Sequence, residues 1–409
     1  MSLVRPAQSD EAARLLSLAR HDRDAALEAV AARSIEEQVA LVCETPVGRR
    51  AAMLDLLPTP EAVIPRMPEA ELCFTVKAIA PSQAGWIVEH ATADQLVACV
   101  DLDAWTLRGF DGDRFRQWWL ATAEAGPETM VRWFKALDPE LMVLELAERI
   151  VVALKPNDAT EAESWLPPEG AQTLEGVFYF AAKRPDDDLA ELTVLLRSLF
   201  EASYWDYFRL MQAAIHELPS ETEEYARRWR AGRLEDLGFP PREEAAALFA
   251  RPVGDAAAGL PDEGPVLDVG GWNLPVWFPK VPLALDSEHA VLAAAANLPD
   301  AARQAFLYRL LAVANKVAVA YDLPLSDVES VPTAIDEAVR MTSRGLEELA
   351  ARHGARGEDV LRRVSLEHLF RVGAAFFPEK AELVLSMLPS DDDDEEDGDA
   401  DAASDDELG

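Results

Sequence analysis

The chain has 409 residues, 49% of them hydrophobic, and a formal net charge of −36 at neutral pH. That is ample apolar material for folded cores. The charge repels phosphate backbones and anionic bilayer surfaces, so no nucleic acid partner and no membrane insertion are expected. Basic protein surfaces and divalent cations are the compatible partners.

The charge is uneven. Residues 391–409 hold 12 acids and no base, and without them the total is still −24. Cys43, Cys73 and Cys99 lie in apolar helical contexts without CxxC spacing, and read as small buried hydrophobes in a reducing cytoplasm. The start, MSLVRPAQSDEAARLL, has no signal-peptide h-region. The longest apolar helix candidate, Phe306–Ala320, is broken by Arg309 and Lys316, too soon to span a bilayer.

In chain order, residues 1–33 read as two helices, and a regular series follows. Ser34 and Glu37 have capping-box spacing, as do Thr92 and Gln95. Thr45-Pro46 and Thr59-Pro60 each pair a cap with proline at the first helical position. Pro68 and Pro81 open two more helices. Starts fall every 9 to 14 residues between 34 and 92. Each short helix carries an apolar stripe that it cannot bury alone, so the helices must stack as an irregular repeat. From Asp111 to Leu154 the helices lengthen around Phe115, Trp118, Trp119, Trp133 and Phe134, which have core spacing. The stretch LLPTPEAVIPRMPEAELCFTVKAIAPSQAGWIVEHATADQLVACVD resembles the short-helix superhelix at the N-terminus of magnesium transporters, and a similar unit of the flagellar motor switch protein. The resemblance covers 34–154 and implies a fold and an interaction role, not transport.

Residues 155–170 form a proline- and acid-rich connector. TLEGVFYFAA, 173–182, is the best strand candidate, and a hairpin partner is expected at Ser164–Leu166, which makes a minor β element at 163–182. The densest polar stretch is 204–240. Tyr204, Phe208, Met211, Ile215 and Leu218 have the spacing of one helical face. Ser220 and Glu223 spell another capping box. Glu223–Arg227 and Glu224–Arg228 are i,i+4 ion pairs in the favourable order. Capping and pairing leave His216, Glu217, Glu221, Arg230 and Arg233 unexplained. Of these, His216, Glu217 and Glu221, with Arg228, are the candidate catalytic residues of an enzyme reading.

Residues 251–285 are loop-rich, with Trp272, Trp277 and Phe278 as expected anchors. Val266–Trp272 has a strand-plus-glycine look, but Trp272 stands where a nucleotide loop needs its third glycine. Helices resume to 390, with Ser326 and Glu329 spaced as a further capping box. In the tail, Asp393, Glu395 and Asp397 mimic a calcium loop whose twelfth position is Ser404 rather than glutamate, so only weak divalent cation binding is expected there. No histidine pair has metal-ligand spacing, and no cofactor or metal site is expected.

The expected fold is therefore mainly α: a helical-repeat domain (1–154), a central helical region with a minor β element (155–250), an ordered connector (251–285), a C-terminal helical domain (286–390) and a disordered acidic tail (391–409). The stretches IHELPSETEEYARRWRAGRLEDLGFP, LLAVANKVAVAYDL and VSLEHLFRVG resemble a bacterial family of large cytosolic helical proteins of unknown function. The expected role is a cytoplasmic scaffold that binds a protein partner. Alternatives are an enzyme with a pocket around His216 and Glu217, and a divalent-cation-responsive regulator.

Overall fold

The computed structural model describes residues 10–106, 109–157, 164–184, 187–250 and 288–388. Among these the chain is mainly α, with 21 helices and two small two-stranded antiparallel sheets.

Eight short helices open the fold: α1 (Asp10–Ala19), α2 (Arg23–Ala31), α3 (Ile35–Glu44), α4 (Arg50–Leu54), α5 (Pro60–Val63), α6 (Glu69–Ile79), α7 (Gly85–Val88) and α8 (Ala93–Asp103). At the start of α3, Glu37 N donates to Ser34 Oγ at 3.3 Å and Ser34 N donates to Glu37 Oε2 at 2.8 Å. At the start of α8, Gln95 N donates to Thr92 Oγ1 at 3.1 Å and Thr92 N donates to Gln95 Oε1 at 2.9 Å. The Gln95 amide also donates to the carbonyls of Ile64 and Met67, at 3.0 and 2.7 Å. One cap residue therefore closes its own helix and satisfies the carbonyls that end an earlier one. Arg50 does similar work where Pro46 breaks the chain. It is buried, pairs with Glu71 at 2.7 Å, and donates to the carbonyls of Cys43, Thr45 and Glu71.

A two-residue ribbon, β1 (Trp105–Thr106) with β2 (Gly109–Phe110), leads into α9 (Gly112–Glu124), α10 (Pro127–Ala136) and α11 (Pro139–Arg149). Phe115, Trp118, Trp119 and Trp133 are all fully buried. The helix begun at Pro139 stops at Arg149, short of Leu154. Residues IVVAL form β3 (Ile150–Leu154), antiparallel to β4 (Phe178–Ala182), with Ile150 opposite Ala182 and Leu154 opposite Phe178. The partner of the strand at 178–182 is thus not Ser164–Leu166. The β-branched run at 150–152 suits a pleated, half-buried surface, whereas Leu166 is exposed.

Next come α12 (Ala190–Ala202), α13 (Tyr204–His216), α14 (Pro219–Asp236) and α15 (Arg242–Ala246). Helix α13 buries Tyr207, Leu210 and Met211, while Tyr204 and Leu218 are exposed. The predicted stripe is therefore rotated. Tyr207 lies edge-on to Phe178 and Phe200, and its hydroxyl donates to Glu175 at 3.0 Å. Helix α14 starts one residue before the predicted cap. Pro219 is its first residue, Leu218 stands at the cap position, and no side chain caps it. With Pro219 in the first helical position, Ser220 is already inside the helix rather than before it, so Ser220 and Glu223 form no capping box.

One apolar core runs from Ala12 to Phe239 and takes in Leu311. It continues across the connector at 155–170. A second core runs from Ala245 to Val384. It is built from α16 (Ala290–Ala296), α17 (Asp300–Ala320), α18 (Ser330–His353), α19 (Gly357–Arg363), α20 (Leu366–Ala374) and α21 (Pro378–Leu385). Helix α18 crosses α20 at Gly345 and Gly373, where an added Cβ would collide with the carbonyls of Leu369 and Met341. Ser326 does not cap α18, which begins at Ser330 with Glu329 at the cap position. Its hydroxyl instead donates to Asp103 at 2.7 Å and accepts from Lys77 at 2.7 Å, tying the second core to the first. The residues 266–272, the anchors Trp272, Trp277 and Phe278, and the acidic tail lie outside the described residues.

Candidate functional site: an arginine-lined cleft between the two cores

Where the two cores meet, they leave a cleft of about 700 Å³. Its walls come from α8, the β1–β2 ribbon, α9, α14, α15, the end of α17 with the turn after it, and residues 387–388 beyond α21. The apolar surface is supplied by Trp105, Phe239, Pro240 and Leu325 among others, and four arginines, Arg114, Arg227, Arg230 and Arg242, face it against the carboxylates of Glu243 and Asp322. So close a gathering of arginines is unexpected on a chain of charge −36.

The placement of these arginines begins with Asp101, a fully buried acid on α8. Arg233 of α14 grips its carboxylate with two bonds, 2.6 and 2.9 Å, and pairs with Asp138 at 2.6 Å. Burial works against the Arg233 cation, but the hydrogen bonds it donates to Asp101 and Asp138 raise its pKa above the usual arginine range. This clamp fixes the rotation of α14 about its axis. One turn earlier, Arg230 donates from Nε to the Asp101 carbonyl at 2.8 Å, and its guanidinium lies 5.3 Å from the centre of the Trp105 ring. Among the described residues no carboxylate pairs with it. Burial lowers its pKa to about 10, so it is still a cation at neutral pH. A desolvated guanidinium held by a carbonyl and a ring, with its amino groups free of an anion, is a site that an incoming anion would complete.

The rim follows the same logic. Gly109 adopts φ +112°, and Glu223 Oε1 occupies the space where a Cβ would lie. The missing side chain lets α14 settle onto the β1–β2 ribbon, which brings Arg227, paired with Glu223 at 2.9 Å, to the edge of the cleft. Arg114 donates to the Asp103 carbonyl at 3.2 Å and pairs with Asp111 at 3.2 Å. Arg242 of α15 pairs with Asp322, in the turn after α17, at 3.0 Å. Burial raises the pKa of Asp322, against the pull of Arg242.

The candidate catalytic residues lie elsewhere. His216 ends α13, Glu217 follows it, and both are exposed, as is Glu221. Partial burial and the nearby negative charge of Glu140 raise the pKa of Glu217, and no arginine among the described residues pairs with it. Arg228 is exposed and pairs with Glu224 at 3.0 Å. None of the four lines the cleft. Arg230 and Arg233, which capping and i,i+4 pairing left unexplained, prove to be a cleft residue and its anchor. Arg114 and Arg242 carry no local sign of their role, because their neighbours across the cleft are remote in sequence.

Among the described residues no group of His, Cys, Asp and Glu is placed to hold a metal ion, and no helix is long and apolar enough to cross a membrane. No curated protein and no solved structure matches the chain. A family model matches residues 27–379. That span includes all the cleft arginines and the Arg233 clamp, and on it the chain belongs to DUF6178, a family of unknown function.

Proposed function

We propose that the chain is a cytoplasmic binding protein whose recognition site is the arginine-lined cleft, and that it takes an acidic peptide segment of a protein partner. The observation that carries this reading is Arg230, a desolvated guanidinium without a carboxylate among the described residues, on a chain of charge −36. Apolar walls with a few fixed charges are the usual make-up of a binding cleft, and the volume of about 700 Å³ is that of a ligand site. A peptide carrying alternating acids and hydrophobes would use both features. The three free, buried cysteines support the cytoplasmic location.

The test is fluorescence anisotropy with a labelled oligoglutamate peptide against the full chain. Binding that weakens steeply with added salt, and that falls at least tenfold in Arg227→Glu, supports the reading. Arg227 is solvent-exposed at the rim, so that variant should fold normally. Binding that Arg227→Glu leaves unchanged while Arg228→Glu abolishes it would move the site to the outer face of α14 and overturn the reading.

A further inference from the structure

The cleft has one acidic segment close at hand in its own chain. Met387 and Leu388 line it. Three residues after Leu388 the sequence enters 391–409, with 12 acids and no base, and the first seven of these, Asp391 to Asp397, are consecutive. We propose that this acidic tail occupies the arginine-lined cleft in cis and regulates access to it, an inference that rests on the binding reading above.

Three observations converge on that occupant. The first is attachment. A residue spans at most about 3.3–3.6 Å of extended chain, so Asp391 is tethered within about 11 Å of Leu388 and Asp397 within about 32 Å. A tether this short gives an effective concentration on the order of millimolar, so even a weak site is largely filled. The second is charge. The rest of the chain carries −24, so most of its surface repels the tail. The cleft offers Arg114, Arg227 and Arg242, each already paired with a carboxylate, and Arg230, which has none among the described residues. The third is the incomplete coordination of Arg230, whose guanidinium has its carbonyl and its ring but no carboxylate among the described residues. Aspartates arriving from the 388 side supply that acceptor, with Arg227 at the rim as a second.

The occupancy is competitive. A partner segment must displace the tail, so its apparent affinity is reduced by the fraction of cleft that the tail leaves open. Any change that removes negative charge from the tail, or that screens it, opens the site.

The experiment uses two full-length chains: the natural one, and one in which every Asp and Glu of 391–409 is replaced by Asn and Gln. Two labelled probes are titrated against each, the oligoglutamate peptide and a synthetic peptide of residues 389–409. The expected result is that both probes bind the neutralised chain at least tenfold more tightly than the natural one, and that Arg227→Glu in the neutralised chain reverses the gain. Equal oligoglutamate binding by the two chains, with the tail peptide inert, would overturn the cis occupancy and leave the binding site standing. No binding of either probe to either chain would overturn the site itself, and the tail proposal with it.

Discussion

Arg233 holds Asp101 across 132 residues of sequence, with two bonds to one carboxylate that no water reaches. Removing a single partner of such a pair leaves an uncompensated buried charge, whereas removing both does not. Arg233→Met should therefore cost about 3–5 kcal/mol in urea unfolding. The double variant Asp101→Asn/Arg233→Met should recover much of that loss. It should still bind oligoglutamate more weakly, because α14 would no longer hold Arg230 in place. Equal stability losses for the single and double variants would show that the pair is not coupled.

Two serines with the same motif should behave differently. Ser34→Ala removes a formed cap and should cost about 1 kcal/mol. Ser220→Ala should be nearly neutral, because no side chain caps α14. Thermal unfolding of the two variants side by side decides the point, and a matched loss would mean that Ser220 caps after all.

The crossing of α18 and α20 has no room for a methyl group. Gly345→Ala and Gly373→Ala each push a Cβ against a backbone carbonyl of the facing helix, and backbone cannot step aside as a side chain can. Each should destabilise the chain by at least about 1–3 kcal/mol, the usual range for overpacking. Gly232, with open space around it, is the control. Gly232→Ala should leave stability unchanged or raise it slightly, since alanine is the better helix former.

Glu145 of α11 is fully buried, beside Arg116 and Arg149 at 3.3 Å each, and its oxygens accept no hydrogen bond among the described residues. Burial pushes its carboxyl up to about 8, against the pull of the two arginines. In the unfolded chain it releases its proton near 4.5. Between those two values the folded state holds more protons than the unfolded one, so rising pH takes stability away across that window, and no further loss follows above about 8. Glu145→Gln should flatten this slope. The variant should match the natural chain near pH 5 and exceed it in stability at pH 8.5. Parallel pH–stability curves would show that the carboxyl titrates normally.

The parts of this fold that the sequence made legible are those settled within one helical turn. The pairs Ser34–Glu37 and Thr92–Gln95 form their boxes because cap and partner are three residues apart and nothing else competes. Ser220–Glu223 has the same letters and fails, because Pro219 takes the first helical position and Glu223 is drawn to Arg227 and to the space above Gly109. The mainly α class was likewise readable from local grammar. The cleft was not, because Arg114, Arg230 and Arg242 meet only when α9, α14 and α15 are brought together by packing. The trace it left in the sequence was negative: Arg230 and Arg233 had no local acid to explain them. The polar crowd at His216, Glu217 and Glu221 drew attention by composition, yet it sits on an exposed helix junction away from the cleft.

Asp103 joins the two cores. Buried at the end of α8, it accepts hydrogen bonds from the Trp118 indole at 3.0 Å and from the Ser326 hydroxyl at 2.7 Å, and it pairs with Lys77. Those partners come from both sides of the junction that makes the cleft. Prising the cores apart would take the Ser326 donor from Asp103 and pull Leu311 of α17 out of the first core, and exposing that leucine alone costs about 1.5–3 kcal/mol. The junction therefore behaves as a weld rather than a hinge. Whatever enters the cleft meets walls already in position, so capture needs no domain closure, and little entropy is lost to ordering the receptor.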